Sequence, residues 1–476
     1  MRIDISNAEL HNIVKRKGGL EVRKGLLVAK AATYPAKYVA GFSVESPFTT
    51  EVWHYLFEQD ATTSVVTLRV YTEDFVEMFT HDLGALDRNP VITHAVANNQ
   101  IMINSPSFST PLYGLVGGGI IPAVKTESEN PDTTALEIMP GHICSFGDRM
   151  PIAQGNVVYF NDPGIDPRTY VSQNALPLPG TVYDMFQGDD GALYMFTSAG
   201  VFFMAQDAIG KGQRVEGFVG GIPGLQVTKP RNAAASNGVV AVLQRSGIAI
   251  LGGKNQVIDI APYKGPRTYS RAVEIDDYRL SGQIYATAEG FIVGFRGSER
   301  FFLDFNLREG YRSYVWPLLV SWNFNIVGCL RSSENDTLLV DENYVYLYQG
   351  NADATHLGDA NTYGVAAIDV DVPEGLESLV RHAVVSSDNA GQVVSAMVGH
   401  TGKTETCPTK SSDTVIGTTE WGTTINGRRF RNTRLSFSER MTNIPLEIAV
   451  TGPTRRVEAG VDVRTKGQGK RRGDKR

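Results

Sequence analysis

Cysteine is scarce. Three residues (Cys144, Cys329 and Cys407) lie far apart in 476, and their number is odd. They form neither a disulfide framework nor a CxxC metal knuckle, so they read as buried free thiols of a chain made in a reducing cytosol. Long apolar runs are also missing. The most apolar stretch, VWPLLVSWNFNIVGCL (315–330), holds a proline and two asparagines. It falls short of the ~18–20 residues a membrane span needs, so no membrane insertion is expected. The opening MRIDISNAELHNIVKRKGG has no apolar core of a secretory signal. The eight histidines never fall at i, i+3 or i+4 spacing, and no HExxH occurs. GxxxxGK[ST], GxGxxG and G-x-S-x-G are absent, and GGGI (117–120) is a glycine turn. No metal, no cofactor and no catalytic residue is expected. The four tryptophans sit mostly in apolar stretches, which disfavours a carbohydrate-stacking groove.

Glycine is plentiful, at 49 residues, and is spread evenly with proline, asparagine and aspartate. Many turns imply many short strands. Helical periodicity is confined to short pieces such as SNAELHNIVKR (6–16). A triplet of apolar runs joined by tight polar turns recurs instead. TVYDMF-QGDDG-ALYMFT-SAG-VFFMAQ (181–206) is followed by GVVAVL-QRSG-IAILGG-KN-QVIDIA (238–261). QIYAT-AEG-FIVGF-RGSE-RFFLDF (283–305) and VGCLR-SSEND-TLLV-DEN-YVYLYQ (327–349) continue the series. Looser copies lie at 53–71, 92–106 and 151–171. A period of roughly 45 residues is that of a four-stranded propeller blade. A single meander cannot bury both of its faces, and radial stacking buries them against neighbours. The spacing predicts an all-β chain with a β-propeller of about six blades, seven also being allowed, over 38–350. No WD or kelch signature accompanies it, and two stacked sandwiches are the alternative.

After 351–364 the rhythm changes. Six further strand-like runs predict a C-terminal β-sandwich over 363–463, interrupted by a polar stretch at 400–427. A basic tail, RTKGQGKRRGDKR (464–476), reads as disordered. Residues 1–37 read as an N-terminal arm with a basic cluster, KRKGGLEVRKGLLV (15–28).

Charge is divided unevenly. From Arg428 onward the chain carries fourteen Lys/Arg against five Asp/Glu, whereas the whole is −6, so residues 1–427 sum to about −15. One reading has Arg428, Arg429, Arg431, Arg434, Arg440, Arg455 and Arg456 neutralising phosphates without sequence specificity. The other has them pair with the acidic remainder of a neighbouring copy or an acidic partner. In RLSFS (434–438) strand alternation puts Arg434, Ser436 and Ser438 on one face and Leu435 and Phe437 on the other. The broken arginine face favours contact between subunits. The interface residues expected are Lys15, Arg16, Lys17, Arg23 and Lys24 in the arm, with Arg428, Arg429, Arg431, Arg434, Arg455 and Arg456. Lys470, Arg471 and Arg472 are the weaker candidates for nucleic acid.

Two turns resemble sites. QGDDGALY (187–194) is similar to the S-x-D-x-G-x-x-W turn of sialidase propellers but lacks the serine and the tryptophan, and it occurs once. A hairpin turn explains it. NDPGIDPR (161–168) offers two aspartates beside proline and glycine, which is turn chemistry with calcium binding as the alternative. His142 and Cys144 share a strand face and read as two half-buried strand residues.

GGLEVRKGLLV (18–28), VVYFNDPGIDPRTYVS (157–172), GIAILGGKNQVIDIAPY (247–263), RRFRNTRLSFS (428–438) and EIAVTGPTRRVE (447–458) stand in an order that resembles one family. It is the tail hub and nozzle family of short-tailed bacteriophages, also called packaged-DNA stabilisation proteins. The likeness covers most of the chain and rests on order and size rather than on any one motif. It implies a homohexameric ring in the virion tail, below the portal and its adaptor ring, built from chains made in the host cytoplasm. Such a ring retains packaged DNA, lets double-stranded DNA pass without sequence specificity, and carries fibres, spikes or a needle. The strongly basic 464–476 tail is not required by that family. The competing expectation is a carbohydrate-binding or sugar-cleaving propeller.

Overall fold

The structure is a computed structural model. It describes side chains across residues 27–348, apart from 206–224, 252–276, 296–324 and several shorter breaks. Elsewhere it describes only the course of the strands named below.

The chain is nearly all β. β1 (Glu9–His11), β2 (Ile13–Arg16), β3 (Gly19–Val22) and β4 (Leu27–Ala31) come first. The first antiparallel meander is β5 (Lys37–Glu45), β6 (Val52–Gln59), β7 (Val65–Thr72) and β8 (Glu77–Ala85). The second is β9 (Thr93–Ala97), β10 (Gln100–Asn104), β11 (Leu112–Leu115) and β12 (Ile120–Pro122). An added outer strand, β13 (Ala135–Leu136), precedes the third: β14 (His142–Ile143), β15 (Ile152–Gln154), β16 (Val157–Asn161) and β17 (Tyr170–Pro177). The fourth is β18 (Val182–Gln187), β19 (Leu193–Thr197), β20 (Gly200–Met204) and β21 (Val219–Ile222). The fifth is β22 (Ala233–Ser236), β23 (Val239–Gln244), β24 (Gly247–Gly252) and β25 (Gln256–Ile260). The single-turn helix α1 (Tyr278–Ser281) leads into β26 (Gly282–Ala286), β27 (Gly290–Phe295), β28 (Phe301–Asn306) and β29 (Leu318–Ser321). Among the described residues no helix is long and apolar enough to cross a membrane.

The seventh meander supplies only three strands from its own stretch of chain: β30 (Gly328–Arg331), β31 (Thr337–Val340) and β32 (Tyr344–Leu347). Its fourth is β4, which lies antiparallel to β32 with Tyr344 opposite Ala31 and Leu347 opposite Leu27. Among the described residues the blades therefore number seven, and β4, inside the range read as an arm, is part of the ring.

Apolar clusters occupy the spaces between successive blades. In β23, Val239, Ala241 and Leu243 pack toward the sixth blade, while Val240 and Val242 pack toward the fourth. Successive side chains of a strand point to opposite faces, and here both faces are covered. Tyr55, Phe57 and Leu68 are wholly buried between the first and second blades. Each such side chain contributes about 1.5–3 kcal/mol. The inner strands of blades two to seven touch in chain order, from β9 through β14, β18, β22 and β26 to β30. The ring closes where β30 runs parallel to β5 and Gly328 bridges Gly41.

Beyond the ring lie β33 (Tyr363–Asp371), β34 (Leu376–Ser387), β35 (Val393–Val398), β36 (Thr401–Thr406), β37 (Thr424–Ile425), β38 (Arg428–Arg429), β39 (Arg431–Met441), β40 (Asn443–Thr451) and β41 (Val457–Gly467). One sheet has the order β33-β40-β35-β36. The other, a curled half-barrel, has the order β2-β3-β41-β34-β39. β39 also touches β35 and β36, so the two sheets face each other. β36 falls in the polar 400–427 stretch, where its pairing with β35 creates a strand that hydrophobicity did not mark. β41 continues to Gly467, so the first residues of the range read as a disordered tail pair with β34.

The helical periodicity at 6–16 is overruled. β1 lies between β29, parallel to it, and β33, antiparallel to it, so its backbone hydrogen bonds are made on both edges. Tertiary pairing of this kind outweighs a weak local preference.

A Cβ added to Gly328 falls 2.4 Å from the carbonyl oxygen of Gly41 and 2.7 Å from its nitrogen, and both obstacles are backbone. Gly328→Ala is expected to cost about 1–3 kcal/mol in urea unfolding. Gly119→Ala, whose nearest atom is 3.8 Å away on Phe79, is expected to stay within about 0.5 kcal/mol of the parent.

Candidate interaction surfaces

The basic segments fall at sheet margins. β2, with Lys15 and Arg16, and β39, with Arg431 and Arg434, are the two edge strands of the half-barrel sheet. Arg434 is registered with Val384 and Arg431 with Ser387. Arg428 and Arg429 form β38, opposite Ile425 and Thr424 of β37. Lys17, Arg23, Lys24, Arg455, Arg456, Lys470, Arg471 and Arg472 lie outside the described residues. Charged side chains are a common device for blunting sheet edges, and an edge is also where another chain adds. β39 carries a bulge at Phe437 and Ser438, where two residues oppose one on β34. The simple alternation expected along 434–438 therefore stops at Ser436.

A second surface was hidden from sequence reading. The inner strands share one direction, so the first hairpin turn of every blade opens on the same face of the ring. These turns carry Glu45 and Glu51 in the first blade, Asp148 in the third, Asp190 in the fourth, and Glu334 and Asp336 in the seventh, all exposed. Neighbouring turns are tied together. Ser46 Oγ donates to Asn99 Oδ1 at 3.2 Å, and the Ser333 amide and hydroxyl both donate to Glu73 at 2.8 Å. Among the described residues of these turns, Arg331 is bonded to Glu45 and Arg149 is buried, so the remaining exposed charges of these turns are negative. The acids lie one or two per blade, tens of residues apart, and only the topology gathers them.

The described residues of the two suspected sites form turns, and Asp162 and Asp189 lie outside the described residues. Asp190 accepts the Ala192 amide at 3.0 Å and the Tyr194 hydroxyl at 2.7 Å, which closes the β18–β19 hairpin. Asp166 is held by Arg168, from Nη2 at 2.6 Å and Nε at 2.9 Å, and accepts the Thr126 hydroxyl at 3.0 Å. Its carboxyl is depressed chiefly by that guanidinium. Arg168 in turn lies 4.6 Å over the Tyr113 ring, so the group fastens the third blade to the second. Among the described residues no group of three His, Cys, Asp or Glu could hold a metal ion.

Several titratable side chains lie at the joins between blades, His94 half-buried and the others buried. His54 is wholly buried, with its Nδ1 2.9 Å from Ser43 Oγ, and the His94 ring stacks on Phe42 at 3.9 Å. His142 and Cys144 are buried rather than half-buried. Burial holds all three histidines down to about 4 and pushes the Cys144 thiol up. Asp184, on β18, accepts the Arg231 amide, yet burial pushes its carboxyl up to about 8.

No family model matches the chain, and no curated protein matches it. Among solved structures it is similar to the WD40 repeats of RRP9, at 10% identity and TM-score 0.44, over 68% of this chain and 97% of that one. It is similar to U3-55K at the same identity and score, over 68% of this chain and 99% of the other. It is also similar to the extracellular domain of a hybrid two-component system from B. thetaiotaomicron, at 12% identity and TM-score 0.34, over 71% of this chain and 39% of that one. Likeness at these scores carries no argument, and the ring of blades rests on the chain's own strand pairing.

The histidines favour the neutral form when folded. Their contribution is therefore complete above the unfolded value of 6.5 and lost as pH falls toward 4. Melting temperature is expected to drop across that interval, and His94→Phe should make the drop shallower. Asp184 has the opposite sign, because ionising it costs more in the fold, so its penalty grows as pH rises from the ordinary value of 3.8 and is complete above about 8. Asp184→Asn keeps an acceptor for the Arg231 amide. It should be close to neutral near pH 3.5 and stabilise by more than about 1 kcal/mol at pH 8, as read by urea titration.

Proposed function

We propose that this chain is a structural, non-enzymatic virion protein of the tail hub and nozzle type. It forms a homohexameric ring beneath the portal-adaptor ring, retains packaged DNA and leaves an axial path for its ejection. Fibres, spikes or a needle attach to the same ring, in the tail of a particle assembled in the host cytoplasm.

The observation that carries this reading is the division of charge. Exposed carboxylates gather at one mouth of the propeller, and basic segments occupy both edges of the C-terminal half-barrel sheet. Opposite patches on two ends of one chain suit a heterologous, head-to-tail contact, the kind that closes into a ring when the rotation allows. An acidic surface along a conduit also repels phosphates, so DNA under pressure meets no series of contacts to stall it. Of the two carboxylate turns, the one similar to a sialidase turn closes its own hairpin through Asp190, and the one weighed for calcium fastens the third blade to the second through Asp166 and Arg168.

Two measurements test the proposal. Density-gradient fractionation of the source material, followed by mass spectrometry, should place the chain in the DNA-containing particle band at one ring's worth of copies, about six. Recovery from the soluble fraction alone overturns the virion reading. Replacing Arg428, Arg429, Arg431 and Arg434 by Ser should weaken ring assembly more than folding. Normal rings in that variant would remove these residues from the contact.

A further inference from the structure

The strands between residues 9 and 31 enter three sheets in succession. β1 fills the slot between β29, the outer strand of the sixth blade, and β33, the edge of the C-terminal module. Leu10 and His11 are shared, opposite Leu318 and Leu319 on one side and Ala366 and Val365 on the other. One residue later the chain enters the β2–β3 hairpin, which joins the half-barrel sheet where Leu20 meets Val457 of β41. Four residues after β3 the chain enters β4, the strand that completes the seventh blade.

That short link is the decisive feature. From Val22 to Leu27 the chain can span at most about 18 Å even when fully extended. The half-barrel sheet and the outer edge of the seventh blade are therefore leashed to each other. β4 cannot retreat either. The Ala32 amide donates to the Asn343 carbonyl at 2.8 Å, and the Thr33 amide donates to Glu58 of the first blade at 3.3 Å. Lys30 Nζ lies 4.9 Å over the Tyr71 ring, also in the first blade. Glu58 is buried and paired with Arg69 at 3.0 Å, so the anchor on the first blade is rigid.

We propose that residues 9–31 are a strap that makes docking of the C-terminal module and closure of the propeller one cooperative event. Displacing the module beyond the reach of the link peels β4 from β32 and opens the ring between the seventh and first blades. The seam can therefore be opened by a force or a partner that acts on the C-terminal module alone. This inference is independent of any role in a virion.

Hydrogen exchange on the full chain, in a series of low denaturant concentrations, tests it. Peptides covering 27–31 and 344–347 and the peptide covering 457–467 should share one opening free energy and one denaturant dependence. A flexible Gly/Ser insertion of about 12 residues between Val22 and Leu27 keeps every strand and lengthens only the leash. It should speed exchange of 457–467 at least tenfold while leaving 344–347 as in the parent. In the reverse direction, Lys30→Pro removes a ladder donor from β4 and should speed exchange in 457–467 by a similar factor. Two unequal opening energies in the parent, or an insertion that moves neither segment, would overturn the strap.

Discussion

Everything in the ring depends on the pairing of β4 with β32. Each blade buries both faces, so each needs a neighbour on either side, and a chain with two ends leaves one seam unmade. Borrowing the outer strand of the last blade from the beginning of the chain repairs that seam with backbone hydrogen bonds. The parallel bridge between β30 and β5 then brings the first and last inner strands so close that a Cβ at Gly328 would strike the Gly41 backbone, while one at Gly41 would press on the Leu56 side chain at 2.9 Å. The buried Tyr38, Leu56, Leu330 and Val340 fill the space behind them.

The same seam concentrates polarity. Asp341 is wholly buried, and its Oδ1 accepts the amides of Asn343 at 2.6 Å and Tyr344 at 2.7 Å. Glu58 is nearly as buried and is paired with Arg69. A buried charge stripped of its partner is far costlier than a missing apolar contact. The polar groups therefore add little net stability, but they set register. A blade that slipped by one residue would leave several of them unpaired.

Much of this was legible in the sequence, for identifiable reasons. GVVAVL (238–243) reads as a continuous apolar run because both faces of its strand are covered. The period of roughly 45 residues is simply the length of chain needed to build one blade. What escaped was non-local. Nothing in LLVAKA (26–31) announces that it pairs more than 300 residues away, so the blade count stayed between six and seven. Within 6–16, which carries a weak helical period, Glu9–His11 is a strand because β29 and β33 present two free edges, and Ile13–Arg16 because it pairs with β3. The acidic mouth is spread one or two residues to a blade, and the basic edge strands are visible as charge but not as edges.

The borrowed strand has a cost in time. β4 leaves the ribosome long before β32, and roughly 320 residues must be synthesised in between. At 5–20 residues per second that is a wait of roughly 15–60 s with an unpaired strand exposed. Blades one to six can stack while they wait, but the circle remains an open arc until the last meander arrives. The nascent chain is therefore at its most vulnerable to strand-hungry neighbours just before completion, and crowded translation of many copies favours trans pairing at that one point.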